Sequence, residues 1–490
     1  MLRPYHFTPS RGDHLSRHIA LMVERDSRIP LAMQLRDSLR NLVESGTLKP
    51  GTRIPSTRQL AVDVGVSRSV VVEAYDQLAA EGYLTSRRGS GTSVAEQTGQ
   101  QAAASALAPA TEEPGADAVW DLRTGTSNTI DFPRAEWLRC AAAVISEAGH
   151  QELGYAPLAG VLHTRHVLTG HLGRVRGVRN RPEDLMVTSG FAQGLALVCR
   201  VLLERGHTAL AVEDPGHPGE REFIATSGLR PVGVPVDEDG LDVERLGASG
   251  ARAVLVTPAN QFPTGVRLSR ERRAQLVAWA REVNGYVLED DFDSGLLDTA
   301  DRPPALQSLA PDRVVYAGSA SKTLAPALRL GWLVGPSELM ASVEHVRAGW
   351  DIGCSGFEQL TFARFVDTGA FDRHQRRLRT EFRRRRRTVL GHVDSQLPGA
   401  WPLGGADGLQ AYVRLPPHVD EQALVRAARR RSVLLRGGRH YCASPAASPP
   451  ALVISYATAN CAALARSLTE VGAAYREQLD RHGTRAQPSR

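Results

Sequence analysis

The segment Ser319-Ala320-Ser321-Lys322-Thr323 directly follows the apolar run 314–316, and Arg329 stands seven residues beyond its lysine. The chain contains 59 lysine and arginine residues, of which only Lys49 and Lys322 are lysine. Arginine can replace lysine wherever a plain positive charge suffices, but only an amine that can lose its proton forms a Schiff base with an aldehyde. A surface lysine retained by chance is the alternative, and we interpret Lys49 in that way. The hydroxyl residues and the cation around Lys322 favour a functional amine.

Four further strand-like runs each lead into a polar or glycine-containing motif. They are 185–187 before 189–193, 210–212 before 213–217, 254–256 before 260–265, and 286–288 before 289–293. Runs of this kind alternate with longer amphipathic stretches from about residue 119, which is typical of an α/β domain. Ligands of open α/β sheets bind beyond the carboxyl ends of the strands. We therefore expect these motifs and Lys322 to converge on one pocket.

A pocket of this composition would suit pyridoxal 5′-phosphate. Lys322 would supply the Schiff base, and a carboxylate such as Asp290 would keep the pyridine nitrogen protonated, which makes the ring an electron sink. Backbone amides after Gly190, at the start of a predicted helix, suit the phosphate, with help from Ser319 and Arg329. Each motif alone has an ordinary structural explanation, such as a turn or a salt bridge. Their order along the chain favours the cofactor site.

Composition excludes several other classes of protein. A hydrophobic content of 42% and a charged content of 23% are ordinary for a globular protein. No apolar run is long enough to span a bilayer, and residues 1–9 lack the apolar segment of a signal peptide. The five cysteines include no Cys-x-x-Cys pair, which argues against a disulfide framework or a metal site and for a reducing compartment. We expect a cytoplasmic protein without a membrane partner.

A change in composition divides the chain. Residues 96–118 are rich in Ala, Gln, Thr, Glu and Pro and contain no aromatic residue, which predicts a linker between a domain at 1–95 and a domain at 119–480. The last residues, 481–490, are polar, and we expect a flexible tail. Residues 1–95 hold 13 Arg and Lys against 9 Asp and Glu, a surplus compatible with a polyanionic partner.

The first domain has the pattern of three short helices. Pro30 can begin the first helix. Ser56 and Gln59 have the spacing of a capping box, in which each side chain satisfies a backbone N–H at the start of the second helix. Ser67 precedes the third helix, after the glycine-containing turn 64–66. A tight turn between two short helices predicts a helix-turn-helix, whose second helix enters the major groove of DNA by its exposed N-terminal end. A helical hairpin without DNA is the alternative.

Four ordered motifs resemble the winged-helix domain of the GntR family of regulators. They lie at 53–61, 66–68, 81–84 and 89–92, the last in a glycine-rich hairpin that would form the wing. The resemblance implies an α+β winged helix-turn-helix that binds a double-stranded DNA operator. The implied DNA contacts are Arg53, Arg58, Ser67, Arg68 and Ser69, with Arg87 and Gly89 in the wing.

Residues 119–475 resemble the fold-type I, aspartate aminotransferase-like enzymes, and the whole chain resembles a MocR-type regulator. The segments 155–160 and 374–379 agree with that resemblance. It implies an α/β domain that binds pyridoxal 5′-phosphate, in a homodimer whose sites lie at the interface, where Tyr155 reaches the partner's cofactor phosphate. The implied cofactor residues are Lys322, Asp290, Gly190, Phe191, Ala192, His217, Asn260, Ser319, Arg329 and Tyr155.

Three positions depart from the pattern of those enzymes. Phe292 stands where a tyrosine usually donates to the ring hydroxyl of the cofactor, which a phenyl ring cannot do. His217 stands where an aromatic ring usually stacks on the cofactor, and an imidazole can still stack. Val453 stands where an arginine usually binds the α-carboxylate of the substrate. Cofactor binding survives these changes more easily than transamination does.

The sequence therefore favours a DNA-binding transcription regulator whose aminotransferase-like domain senses pyridoxal 5′-phosphate or an amine that reacts with it. A working aminotransferase with an appended DNA-binding domain is the alternative, and a dimerisation scaffold without cofactor is the third possibility. We expect a response to the cofactor itself, unless Arg436 or Arg439 moves in to bind a carboxylate. We interpret the arginine run 383–387 as a solvated helix face and not as a DNA-binding patch.

Overall fold

The structure is a computed structural model that describes residue 23 and residues 29–87, 91–95, 120–125, 127–298, 302–405, 407–444 and 448–485. The chain divides into two compact units, Met1–Glu113 and Pro114–Arg490. The linker predicted at 96–118 lies outside the described residues, as does Gly89 of the predicted wing.

The described part of the first unit contains three helices and a small antiparallel sheet. The helices are α1 (Leu31–Glu44), α2 (Thr57–Val64) and α3 (Arg68–Ala80). The sheet has the order β1 (Arg53–Ile54), β3 (Gly91–Val94) and β2 (Leu84–Arg87). Leu35 of α1, Leu60 of α2 and Val71 and Leu78 of α3 form one apolar core. Burial of each such side chain contributes about 1.5–3 kcal/mol, so the pattern of apolar residues holds the three helices together.

The predicted helix starts are confirmed, but the predicted capping box is only half formed. The Ser56 hydroxyl accepts a hydrogen bond from the backbone N–H of Gln59 at 3.2 Å. The Gln59 side chain instead donates to Asp63 at 2.8 Å, one turn further along α2, because the carboxylate there competes for its amide. Gly65 ends α2 with a φ of 71°, a left-handed conformation that glycine adopts without strain.

The second unit has fourteen strands among its described residues. They are β4 (Trp120–Asp121), β5 (Leu185–Thr188), β6 (Ala209–Asp214), β7 (Arg230–Asp237), β8 (Gly240–Leu241), β9 (Ala253–Val256), β10 (Tyr286–Asp290), β11 (Val314–Ser319), β12 (Gly331–Val334), β13 (Trp401–Leu403), β14 (Gln410–Arg414), β15 (Val433–Leu434), β16 (Arg436–Gly437) and β17 (Ala451–Ser455).

Eleven α-helices accompany these strands in the described part of the second unit. They are α4 (Arg134–Glu147), α5 (Leu162–Arg176), α6 (Phe191–Glu204), α7 (Pro218–Thr226), α8 (Val243–Ala248), α9 (Arg270–Glu282), α10 (Ser337–Ala348), α11 (Gly356–Asp367), α12 (Ala370–Gln396), α13 (Glu421–Arg430) and α14 (Cys461–Arg485). The last helix continues through residues 481–485, which we expected to belong to the flexible tail.

The main sheet has eight strands in the order β5-β12-β11-β10-β9-β6-β7-β8. Neighbours from β11 through β10, β9 and β6 pair in parallel, whereas β12 runs antiparallel to both β11 and β5. The strand β5 therefore runs in the same direction as β11. All five strand-like runs of the sequence thus point the same way, and the motifs that follow them lie at one edge of the sheet.

Helices cover both faces of this sheet. Alternate residues of a strand point to opposite faces, and in β6 Leu210 and Val212 pack with α6 while Ala211 packs with the cluster that contains α9. Strands buried on both sides explain why the runs in the sequence are continuously apolar. A second sheet, β13-β14-β17-β16, packs against α12 and α14 around a separate apolar core.

The arginine run 383–387 on α12 is not a uniformly solvated face, and that prediction was wrong for two of its residues. Arg385 and Arg386 are 6% and 5% exposed. Arg385 donates to the carbonyl of Ala457 at 2.6 Å, and Arg386 donates to the carbonyl of Gly405 at 2.5 Å. Their position on α12 faces the core, where unpaired carbonyls accept their hydrogen bonds.

None of the helices in the described part of the chain has both the length and the apolar character that a membrane span requires.

Candidate functional site

A cavity of about 420 Å³ opens at the edge of the main sheet where the predicted motifs converge. Seven of the ten residues predicted to bind a cofactor line it: Phe191, Ala192, His217, Asp290, Ser319, Lys322 and Arg329. They come from the ends of β10 and β11, from the start of α6 after β5, and from the turns that follow β6 and β11. The parallel directions of the strands therefore bring together side chains that are up to 138 residues apart, from Phe191 to Arg329.

Lys322 lies in the turn that follows β11. Its amine donates to the carbonyl of Gly125 at 3.3 Å, its only hydrogen bond among the described residues. Burial lowers the pKa of Lys322, and the nearby carboxyls of Asp290 and Asp293 oppose that effect. The turn is anchored from outside the cavity, since His374 contacts the carbonyl of Thr323 at 2.7 Å. A lowered pKa leaves more of the amine unprotonated, which is the form that attacks an aldehyde.

The start of α6 forms one end of the cavity. Gly190 precedes this helix with a φ of 81°, and Arg329 donates to the carbonyl of Ser189 at 2.6 Å. A Cβ atom on Gly190 would lie 2.9 Å from the Arg329 guanidinium, so the close approach requires glycine. The first N–H groups of a helix lack partners within the helix, and together with an arginine they suit a phosphate.

Asp290 and His217 form another part of the wall. Asp290 is 7% exposed, and burial followed by the neighbouring Glu220 raises the pKa of its carboxyl well above the usual value. Desolvation lowers the pKa of His217 to about 4, so its imidazole is neutral at pH 7. The centroid of that ring lies 5.4 Å from the ring of Phe262. A neutral ring of this kind can stack on an aromatic ligand.

Two phenyl rings lie in the remaining wall, which also contains polar residues such as Thr257 and Gln410. Phe262 and Phe292 meet edge to face with their ring centroids 6.1 Å apart, and both line the cavity. Val453 is fully buried within β17. Arg436 contacts His440 at 3.4 Å and Arg439 donates to the carbonyl of Ser448 at 3.2 Å. Neither arginine lines the cavity, and among its described lining residues only Lys322 and Arg329 are cationic.

Three of the predicted cofactor residues do not line the cavity: Gly190, which directly precedes the lining residue Phe191, and Asn260 and Tyr155. Asn260 is buried and donates to Asp293 at 2.6 Å, because that enclosed carboxyl requires a donor; Phe262, two residues later, lines the cavity instead. Tyr155 is 86% exposed and does not line it. The role predicted for Tyr155 involves a partner chain and stays a prediction.

The sequence interpretation missed Glu220, which lines the cavity from α7. A signal was present, since Pro218 begins a helix and places residues 217 and 220 about one turn apart, where they can serve the same site. No residue type in the sequence marks Gly125 as the acceptor for Lys322.

The lining fits pyridoxal 5′-phosphate. An amine for the aldehyde, a helix start with an arginine for the phosphate, and a neutral ring for stacking lie around one cavity. The carboxyl of Asp290 has no hydrogen-bond partner among the described residues, and a protonated ring nitrogen would compensate it. When bound, the cofactor supplies an aldehyde carbon that reacts with amines.

The first unit presents the residues predicted to contact DNA. Arg53 on β1, Arg58 on α2 and Arg68 at the start of α3 are exposed, and their guanidinium groups have no ion pair among the described residues. Ser67 and Ser69 are exposed beside Arg68, with their hydroxyls 2.8 Å apart. Arg87 is the last residue of β2. Unpaired arginines and hydroxyls at the start of a recognition helix suit base edges and phosphates.

Comparison with known proteins gives the two units their families. Residues 31–94 match the bacterial regulatory proteins of the gntR family, and residues 126–469 match the aminotransferases of class I and II. The helix-turn-helix thus belongs to a family of DNA-binding regulators.

Curated relatives match most of the chain. The chain is 34% identical to the HTH-type pyridoxine biosynthesis transcriptional regulator PdxR of Corynebacterium glutamicum over 371 residues. The match covers 76% of this chain and 80% of that protein. It is 31% identical to the probable rhizopine catabolism regulatory protein MocR of Rhizobium meliloti, over 84% and 87% of the two chains. It is also 31% identical to the HTH-type transcriptional regulator TauR of Rhodobacter capsulatus, over 84% and 89%.

Solved structures agree with the fold of the second unit. The α-aminoadipate aminotransferase LysN of Thermus thermophilus matches with a TM-score of 0.65 and 25% identity, over 74% of this chain and 92% of that one. The kynurenine aminotransferase of Pyrococcus horikoshii matches with a TM-score of 0.68 and 24% identity over the same shares.

The two units together define a transcription regulator in which a winged helix-turn-helix precedes a fold-type I aminotransferase-like domain. The chain belongs to the MocR-type subfamily of the GntR regulators. The family and fold class predicted from the sequence are thereby confirmed.

Proposed function

We propose that the aminotransferase-like domain binds pyridoxal 5′-phosphate through Lys322 and that the chain regulates transcription in response to this cofactor or to an amine that reacts with it. The observation that carries the proposal is the position of the Lys322 amine, which lines the same cavity as Asp290 and Arg329. The lowered pKa of Lys322 supports its role as the group that captures the aldehyde.

The other lining residues have distinct tasks in this proposal. Arg329, Ser319 and the N–H groups that begin α6 hold the phosphate. Asp290 binds the ring nitrogen, and His217 stacks against one face of the ring. Phe262 and Phe292 are apolar, so neither side chain can donate a hydrogen bond to the ring hydroxyl of the cofactor.

The lining supports a sensor more than an aminotransferase. Once Lys322 holds the aldehyde and Arg329 holds the phosphate, no cation remains among the described lining residues for the carboxylate of an amino acid. Val453 cannot supply one, and Arg436 and Arg439 have partners elsewhere. A response to the cofactor itself requires no such cation. The relative from Corynebacterium glutamicum is named as a regulator of pyridoxine biosynthesis, which supports a vitamin B6 signal.

The first unit would bind a double-stranded operator, and we place the protein in the cytoplasm, where bacterial DNA lies. Arg68 would read bases from the start of α3, and Arg53, Arg58 and the wing residue Arg87 would position the domain on the phosphate backbone.

A homodimer would cover an exposed apolar face of the second unit. Leu138 and Ile145 lie seven residues apart on α4, so they share one helix face, and they are 68% and 63% exposed. Trp350 and Ile352 are 55% and 65% exposed. Several large apolar side chains exposed on one unit are typical of a protein–protein interface.

Borohydride reduction tests the cofactor assignment directly. The purified protein loaded with pyridoxal 5′-phosphate should absorb visible light, and after reduction peptide mapping should find the pyridoxyl group on Lys322. Lys322→Ala should abolish both signals, whereas Lys49→Ala, which removes the other lysine, should change neither. Labelling of Lys49 alone, or of no lysine, would refute the assignment.

A further inference from the structure

A second carboxyl lies in the same cavity as Asp290. Glu220 is in the first turn of α7, and it lines the cavity together with Asp290 at the end of β10. Asp290 is 93% buried, since its exposed fraction is 7%. Neither carboxyl has a hydrogen-bond or ion-pair partner among the residues that the structure describes. Two uncompensated acids therefore face one enclosed space.

The neighbouring Glu213 is a buried carboxyl that does have hydrogen-bond donors, and burial nevertheless raises its pKa to about 7. Glu213 on β6 accepts hydrogen bonds from the backbone N–H and the hydroxyl of Thr257, at 3.0 and 2.5 Å, and lies 3.4 Å from the Gln261 amide. Asp290 and Glu220 have no such donors. Two adjacent acids without donors cannot both be charged without a large cost, so they retain protons.

Charged groups lie on several elements around this pair. Those that act on Asp290 or Glu220 are Glu213 on β6, Arg221 on α7, Asp291 and Asp293 after β10, and Lys322 after β11, while His217 at the start of α7 is neutral. Asp291 is paired with Arg176. The remaining cations, Lys322 and Arg221, are outnumbered by acids.

The titration of the pair agrees with this geometry. Burial, and after it the neighbouring Glu213, raises the pKa of Glu220 to about 8. Burial, and after it Glu220, raises the pKa of Asp290 well above its usual value. Before a ligand binds, these two carboxyls therefore hold at least one proton at pH 7.

We propose that Glu220 is a positioning residue for Asp290: the two carboxyls retain a proton while the cavity is open, and the cationic ring nitrogen of the cofactor displaces it. The inference rests on the proposed function and adds a regulatory property to it. A cation beside the pair stabilises its ionised form, so binding releases a proton to solvent. Cofactor capture then strengthens as pH rises through the range in which the open pair still holds its proton.

Calorimetric titration with pyridoxine 5′-phosphate measures this release. The compound has the ring nitrogen and the phosphate but an alcohol in place of the aldehyde, so covalent capture by Lys322 does not contribute. Titrations in two buffers of different ionisation enthalpy at pH 7.5 count the protons released per ligand bound. The wild type should release up to about one proton more than Glu220→Gln, whose amide cannot titrate. Glu222→Gln, an exposed position on the same helix, should behave as the wild type.

The pH dependence of the wild type gives a second readout that needs no variant. Its affinity should rise between pH 6.5 and 8.5 by up to about tenfold per pH unit, and the rise should be weaker in Glu220→Gln. Equal proton release in the wild type and Glu220→Gln, or no release in the wild type, would overturn the role of Glu220. Failure of the wild type to bind pyridoxal 5′-phosphate would instead refute the proposed function and the inference with it.

Discussion

Arg176, the last residue of α5, donates from its Nε to Oδ2 of Asp291 at 2.7 Å, and both side chains are at most 2% exposed. Tyr316 on β11 donates its hydroxyl to the same oxygen at 2.5 Å. Asp291 directly follows Asp290, and successive side chains of an extended chain point to opposite sides. The buried ion pair therefore fixes Asp291 on one side of the strand end, which leaves Asp290 on the side of the cavity.

Loss of that ion pair should destabilise the second unit. Asp291→Asn leaves a buried guanidinium uncompensated, and we expect a loss of about 3–5 kcal/mol in the free energy of unfolding. Arg200→Ala is the matched control, because it removes an exposed pair with Glu204 and should cost about 1 kcal/mol or less. Urea unfolding of the full chain compares the two variants, and equal losses would show that the pair at Asp291 is not a structural anchor.

Truncation of Arg68 and truncation of Arg87 should change DNA binding in different ways. Arg68→Ala should cost about 1–3 kcal/mol on the correct operator and relax the preference at one base pair, because a base contact is lost. Arg87→Ala should weaken binding to all DNA sequences alike. It should also reduce the slope of log affinity against log salt concentration by about one, because one phosphate contact is lost. Fluorescence anisotropy with the operator and with point-mutated operators at several salt concentrations separates the two effects. An unchanged operator preference in Arg68→Ala would refute the assignment of α3 as the recognition helix.

Amino acids should react poorly with the cofactor-loaded protein. Without an arginine at position 453, an α-carboxylate loses a charge-assisted contact worth about 1.5–3 kcal/mol. Absorbance changes after addition of a panel of amino acids, each paired with the amine that lacks its carboxylate, measure this loss. We expect the cofactor to be converted slowly, and at the same rate by an amino acid as by the amine that lacks its carboxylate. Fast conversion that depends on the carboxylate would favour the aminotransferase over the sensor.

The exposed face of α4 should mediate self-association. Ile145→Arg would place a charge in a desolvated interface, and sedimentation velocity should then show a shift from dimer to monomer. Val62→Arg is the control, since Val62 is 75% exposed on α2 in the other unit and should leave the dimer intact. A monomeric wild type, or an unaffected Ile145→Arg dimer, would contradict this interface.

The main sheet and most of its site could be predicted because both follow from local patterns. Apolar runs bounded by polar motifs identify strands such as β10 and β11, and parallel strands carry their following residues to one edge. Lys322, Asp290 and Arg329 therefore meet where the sequence placed them. The start of α2 at Ser56 could be predicted for the same reason, since a cap depends on neighbours within one turn.

Other features depend on contacts between distant segments, which one sequence does not contain. Asn260 was predicted at the cavity, but the need of the buried Asp293 for a donor turns its side chain away. The sequence alone predicts surface positions for Arg385 and Arg386. In the fold their guanidinium groups donate to the carbonyls of Ala457 and Gly405, which come from distant segments. Glu220 is marked only by its place one turn after His217.

Operator binding during a titration with pyridoxal 5′-phosphate shows most directly whether the cofactor itself is the signal. The protein freed of cofactor is mixed with labelled operator, and anisotropy is followed as the cofactor is added to the wild type and to Lys322→Ala. We predict that operator affinity of the wild type changes about 5- to 150-fold, the usual range of coupling between two sites, and that Lys322→Ala does not respond. An affinity that ignores the cofactor but changes when an amino acid is added to the loaded wild type would refute the cofactor itself as the signal.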